Sequence, residues 1–92
     1  MGDGVIERTV TVTNSLGLHA RPAAQLVRTA SGFTAHVEIG RDELLVNAKS
    51  IMGVMMLAAE SGSTLRIRAE GDDAEAAVAA LADLVTRGFD EA

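Results

Sequence analysis

The chain has 92 residues, 48% of them apolar and 2% aromatic, and a formal charge of −5. That balance permits one small domain with one core, residues 1–92, and argues against nucleic-acid binding, which needs a basic surface. The lack of cysteine excludes a disulfide framework, thiolate chemistry and a thiolate zinc site, and two distant histidines without clustered carboxylates make no metal site.

Met1 to Val5, with two glycines and an aspartate, reads as a frayed start. No signal-peptide pattern opens the chain, and Ile6 stands where an N-myristoylation site carries Ser or Thr. Ile6, Arg8, Val10 and Val12 then alternate with Glu7, Thr9, Thr11 and Thr13, which predicts a half-buried first strand from Ile6 to Thr13. Asn14 to Leu18 is a loop. Ala23, Leu26, Val27 and Ala30 recur at helical spacing, with Pro22 in the first turn and Gly32 as the stop. Ala35, Val37 and Ile39 alternate with Thr34, His36 and Glu38 in a second strand. Gly40-Arg41-Asp42-Glu43 is a turn leading into a third strand through Leu44, Val46 and Ala48. Ser50 is the expected N-cap of a short helix from Ile51 to Ala58. The apolar run Ile51 to Ala59 is too short for a bilayer span and is broken by Gly53. After a turn at Gly62-Ser63, Leu65, Ile67 and Ala69 mark a fourth strand, and Gly71-Asp72-Asp73 supplies a turn and cap. Ala77, Val78, Leu81, Leu84 and Val85 form the buried stripe of a last helix that Gly88 closes.

The order is β-α-β-β-α-β-α. Alternating strands with amphipathic helices fit an α/β (α+β) open-faced sandwich, a four-stranded and mainly antiparallel sheet with three helices on one face. A soluble cytoplasmic monomer without membrane insertion is expected.

The passage from strand to helix carries the chemistry. His19 falls at or just before a helix N-terminus, where unpaired backbone N–H groups carry partial positive charge. That end disfavours a cationic ring and welcomes an anion, so His19, Ala20 and Arg21 make a candidate phosphoryl site. Arg21 can hold phosphoryl oxygens bidentately, and it stands where a cation is otherwise unfavourable. Pro22 fixes the helix start. Ile51, Met52 and Met55 are surplus to a core served by Val54, Leu57 and Ala58, and adaptable methionines suit a docking surface. His36 is expected to face solvent, and Asp72, Asp73 and Glu75 answer the dipole of the last helix.

Asn14-Ser15-Leu16-Gly17-Leu18-His19-Ala20-Arg21-Pro22-Ala23 resembles the active-site segment of the histidine-containing phosphocarrier family of the phosphoenolpyruvate-dependent phosphotransferase system. Ala48-Lys49-Ser50-Ile51-Met52-Gly53-Val54-Met55 resembles that family's regulatory-serine segment, and the resemblance extends over roughly Glu7 to Phe89. It implies a strand order of 1-4-2-3. It also implies a carrier that accepts a phosphoryl group from enzyme I on Nδ1 of His19 and donates it to an enzyme IIA domain. Such a carrier is turned over by its partners through a phosphohistidine, rather than being a stand-alone catalyst, and needs no cofactor. Docking would use Ala24, Arg28, Lys49, Ile51, Met52 and Met55, with Arg21, Arg28 and Lys49 as a local basic rim. Ser50 corresponds to a site phosphorylated in some branches, which brings in a serine kinase or phosphorylase as a further partner. Lys49-Ser50-Ile51-Met52-Gly53 resembles the sugar branch, whereas Met55-Met56-Leu57 and Gly88-Phe89-Asp90-Glu91 look closer to the nitrogen-related branch. Ala20 stands where several members carry Thr or Ser, without removing a group the anion site needs.

Two alternatives stay open on sequence. One is a non-shuttling regulatory binding module of the same fold, controlled at Ser50; the presence of His19 counts against it. The other is a ligand-binding α/β domain, since fold does not dictate function.

Overall fold

Four segments with apolar residues at alternate positions build the sheet. In the computed structural model, which describes residues 4–91, the first strand β1 spans Ile6–Thr11 and is followed by helix α1, Ala20–Ser31. Strands β2 (His36–Arg41) and β3 (Leu44–Asn47), helix α2 (Ile51–Met56), strand β4 (Thr64–Glu70) and helix α3 (Ala74–Thr86) complete the order, with a 3-10 turn at Gly88–Asp90. Gly4 and Val5 have no regular structure, and the rest of the expected frayed start lies outside the described residues.

The sheet order is β1-β4-β2-β3 and every pair is antiparallel. One phase of the strands is closed off: Val37, Ile39, Leu65 and Ile67 have no exposure at all. The opposite phase carries Thr64, Arg68, Glu70 and His36 into solvent. Helix α3 covers β1, β4 and β2, while α1 packs beside α3 and α2. Burying one such aliphatic side chain contributes about 2 kcal/mol, so this single covered face carries the fold. Among the described residues no helix is long and apolar enough to cross a membrane.

Several expected boundaries move, each for a local reason. Strand β1 stops at Thr11 rather than Thr13, because Val12 pairs instead with the turn after α2. Its N–H donates to Ser63 O at 2.9 Å, and its carbonyl accepts Gly62 N–H at 2.8 Å. The hairpin turn narrows to Asp42-Glu43, so Gly40 and Arg41 belong to β2, and Asp42 adopts a left-handed φ of 55°. Strand β3 ends at Asn47; Ala48 is buried beyond it and donates its N–H to Val37 O at 2.9 Å. Helix α2 ends at Met56 instead of Ala58. Ala58 turns left-handed (φ 48°), and Arg41 Nη1 donates to the carbonyls of Leu57 at 3.1 Å and Ala58 at 2.9 Å. Ala58 is exposed, so it is not the core residue expected. Gly32 caps α1 with φ −76°, a right-handed conformation open to any residue.

Asp73 fixes the chain just beyond α1. It stands at the N-cap position of α3 but its side chain makes no cap hydrogen bond. The carboxylate instead accepts the N–H of Thr34 at 2.9 Å and of Ala35 at 2.8 Å, which fixes the chain's entry into β2. The hydrogen bond from Thr34, against the opposing effect of desolvation and together with that from Ala35, holds this carboxyl below its ordinary value. A depressed folded-state value means stability that is complete above the ordinary carboxylate range and lost as pH falls through the folded-state value. Asp73→Asn should therefore melt earlier than the parent near neutral pH. The gap should close in strong acid; thermal denaturation of both proteins across pH checks it.

Candidate functional site

The loop after β1 is shaped by Gly17. Its φ of 69° is left-handed, and a Cβ there would sit 2.5 Å from Ala59 O and 2.9 Å from Glu60 Cα. This close approach lets Leu18 donate its N–H to Ala59 O at 2.9 Å. Asn14, only 4% exposed, holds the loop from below by donating Nδ2–H to Gly17 O at 2.8 Å. Leu18 is buried, and the chain then turns directly into α1.

His19 is the N-cap of α1, with extended backbone (φ −82°, ψ −171°) and no capping bond from its side chain. Its carbonyl accepts Ala23 N–H at 2.9 Å, so the helical ladder starts at once. Ala20 and Arg21 occupy the first two helical positions and are exposed, and Pro22, third, is buried and has no N–H to satisfy. The His19 ring is 35% exposed. Its Nε2 lies 3.0 Å and 3.2 Å from the two carboxylate oxygens of Glu91. Glu91 also accepts Asn14 Nδ2–H at 3.0 Å. Burial acts to raise the Glu91 carboxyl, but hydrogen bonds from His19 and Asn14, aided by the charges of His19 and Arg21, hold it below its ordinary value.

Glu91 is delivered by the 3-10 turn. Gly88, Phe89 and Asp90 are all left-handed, with φ of 68°, 57° and 60°. A non-glycine residue there costs about 1–3 kcal/mol, the same order as the stabilisation from burying one aromatic ring. With two such residues, Phe89 and Asp90, the buried Phe89 ring, 1% exposed, offsets only part of the strain, and the Arg87–Asp90 ion pair at 3.1 Å adds to that offset. The loop after β1, the start of α1 and this turn enclose an open groove of about 510 Å³ lined by Ser15, Leu16, Arg21, Gln25 and Phe89 among others.

The second motif lies beside the first, since α1 packs on α2. Ser50 is the N-cap of α2 as expected, its Oγ accepting Gly53 N–H at 3.1 Å. Val54 and Leu57 are buried, leaving Ile51, Met52 and Met55 in solvent at 47%, 74% and 44% exposure. Ala24 is half-buried on α1 and Arg28 is exposed in its last turn. Lys49 is half-buried and gives its ammonium to Phe33 O at 2.8 Å, so it serves a backbone carbonyl. His36 is exposed, with Nε2 3.5 Å from Glu38.

Four residues escape the sequence reading. Leu16 and Met56, 72% and 64% exposed, extend the apolar surface; an unpaired Leu in a glycine loop was the available signal for the first. Asn14 stood in the motif without a visible task. Glu91 gave no local signal, because it meets His19 across 72 positions.

The family model described as the PTS HPr component phosphorylation site matches residues 6–87. The chain belongs to the PTS HPr family. A phosphocarrier protein HPr of Xylella fastidiosa (strain Temecula1) is 47% identical over 95% of this chain and 98% of its own. A phosphocarrier protein NPr of Shewanella violacea is 44% identical over 95% of this chain and 96% of its own. The crystal structure of HPr-C-His from Thermoanaerobacter tengcongensis superposes with a TM-score of 0.91 at 47% identity, covering 95% of this chain and 98% of that one. Membership agrees with the strand order and the two motif segments.

Gly17→Ala tests the loop. The substitution requires a left-handed alanine and displaces backbone across the seam, so we expect a loss of about 2 kcal/mol in chemical denaturation.

Proposed function

We propose that the chain shuttles a phosphoryl group, accepting it from phosphorylated enzyme I on His19 and donating it to a histidine of an enzyme IIA domain. The observation that carries this reading is the placement of a partly exposed imidazole at the N-terminus of α1, next to the exposed guanidinium of Arg21. The backbone N–H groups of the first turn and Arg21 supply fixed positive charge for a phosphoryl group in flight. The names of its relatives, phosphocarrier proteins HPr and NPr, support the same role. One acceptor per chain suffices, so the carrier works as a cytoplasmic monomer without a cofactor. Discharge by sugar-branch or nitrogen-branch enzyme IIA domains assigns the relay.

Incubation with enzyme I and labelled phosphoenolpyruvate should label the chain. His19→Ala should abolish the label while leaving the protein folded, because the ring lies outside the core and makes no cap hydrogen bond. The product should be an acid-labile, base-stable phosphoramidate; label in His19→Ala, or an acid-stable product, overturns the assignment. Arg21→Lys keeps the charge but loses the fork, so transfer should slow by roughly tenfold with binding retained.

Docking is assigned to the exposed apolar surface of α2, Ile51, Met52 and Met55, with Ala24 and Arg28 on neighbouring α1 and Lys49 at its edge. Ser50 borders this surface and is the proposed regulatory phosphorylation site. A phosphate there adds charge that a partner must desolvate. Met52→Asp and Ser50→Asp should each slow labelling of His19 at low enzyme I concentration by about tenfold or more without lowering the melting temperature. Unfolding of Met52→Asp would return that side chain to the core, and parental labelling of Ser50→Asp would leave Ser50 a helix cap.

A further inference from the structure

We propose that Glu91 is a positioning residue for His19: by accepting hydrogen from Nε2 it leaves the Nδ1 lone pair as the nucleophile and keeps Nε2 protonated through the whole transfer cycle. The inference deepens the phosphocarrier reading and rests on it.

An ionised carboxylate can only accept hydrogen bonds. Both Glu91 oxygens lie within hydrogen-bond distance of Nε2, at 3.0 Å and 3.2 Å. The hydrogen therefore sits on Nε2, and in the neutral ring Nδ1 holds the lone pair. The carboxylate is itself fixed. Asn14 Nδ2, held by Gly17 O at 2.8 Å, reaches Glu91 Oε1 at 3.0 Å. The Glu91 side chain is 19% exposed, less than the ring it touches. Behind it, Phe89 is buried and two non-glycine residues take left-handed backbone to turn the chain towards His19. Strain of this kind persists where the surroundings over-determine a geometry.

The protonation follows the electrons through both half-reactions. In acceptance, the Nδ1 lone pair forms the N–P bond while the donor's N–P bond breaks and its electron pair stays on the donor ring. The His19 ring, still carrying Nε2–H, becomes cationic, and the Glu91 carboxylate faces that charge. In donation, a nucleophile attacks phosphorus, and the Nδ1–P electrons return to Nδ1. The leaving ring is then neutral imidazole rather than imidazolate. No proton moves in either direction. The arrangement corresponds to carboxylate–histidine pairs at metal sites, where the partner fixes tautomer and ring orientation.

The test uses the full chain, with Glu91→Gln, which can present either a donor or an acceptor to Nε2, and Glu91→Ala, which presents neither. Two-bond proton–nitrogen NMR of the unphosphorylated protein reads the His19 tautomer. Phosphoramidate, a small-molecule phosphoryl donor, then modifies His19 without enzyme I, and phosphorus NMR reads which nitrogen carries the group. The parent should show Nε2–H alone and modification at Nδ1. Both variants should show a rise in Nδ1–H and in the Nε2 phospho-isomer. With phosphorylated enzyme I, kcat should fall about tenfold, the scale of such second partners, with KM held, at a temperature below the melting point of every variant. Variants with the parental tautomer, isomer and kcat would reduce Glu91 to a tether and overturn the proposal. A parent that phosphoramidate modifies and enzyme I does not would overturn the shuttle reading instead, leaving the Glu91 assignment to stand on the tautomer and isomer ratios.

Discussion

The hydrogen bond from Leu18 N–H to Ala59 O, closed over the side-chain-free face of Gly17, is the seam on which the site depends. On one side of it the chain turns into α1 at His19. On the other it leaves α2 for β4. A backbone-to-backbone contact this close admits no Cβ, so the loop cannot slide without losing the bond. The His19 imidazole and the exposed face of α2 are thereby held in one frame, although they come from different motifs.

In a chain of net charge −5, that frame puts the Arg21 guanidinium and the first turn of α1 beside the His19 ring. The positive character comes from backbone dipoles and Arg21 rather than from overall composition. Several carboxylates are committed to partners, although Asp90 and Glu91 also line the groove beside Arg21. Asp73 is committed to the N–H groups of Thr34 and Ala35, and Asp83 and Asp90 to Arg87. Glu91 meets the ring at Nε2 and is held by Asn14.

Cations are used with similar economy. Arg41 satisfies carbonyls at the end of α2, and Lys49 serves the carbonyl of Phe33 after α1. Arg41 thus closes the end of α2, where the last carbonyls lack partners within the helix, while Lys49 holds the loop beyond α1. Arg21 stands where helix geometry disfavours a cation and remains exposed. Its charge acts on the Glu91 carboxylate across the chain, which ties the start of α1 to the turn that Phe89 anchors.

Interactions of short range were determined by the sequence itself. Val37 and Ile39, like Leu65 and Ile67, point inward because a strand repeats every two residues, and Leu81 and Val85 because a helix repeats every 3.6. Ser50 caps α2 because its hydroxyl needs only the N–H three residues on. His19 stands at a helix start because Pro22 and the glycine loop before it permit little else. Tertiary structure alone decided what meets across the chain. Alternation says which side chains face inward but not which strand lies beside which, so the 1-4-2-3 order was available only through family resemblance. Asp73, read as a cap, reaches 38 and 39 positions back to Ala35 and Thr34, and Glu91 reaches 72 back to His19. A carboxylate 72 positions from its partner has no period and no fixed spacing to reveal it. Only the packing of α3 against the sheet, and the turn that Phe89 anchors beyond it, bring that carboxylate to the imidazole.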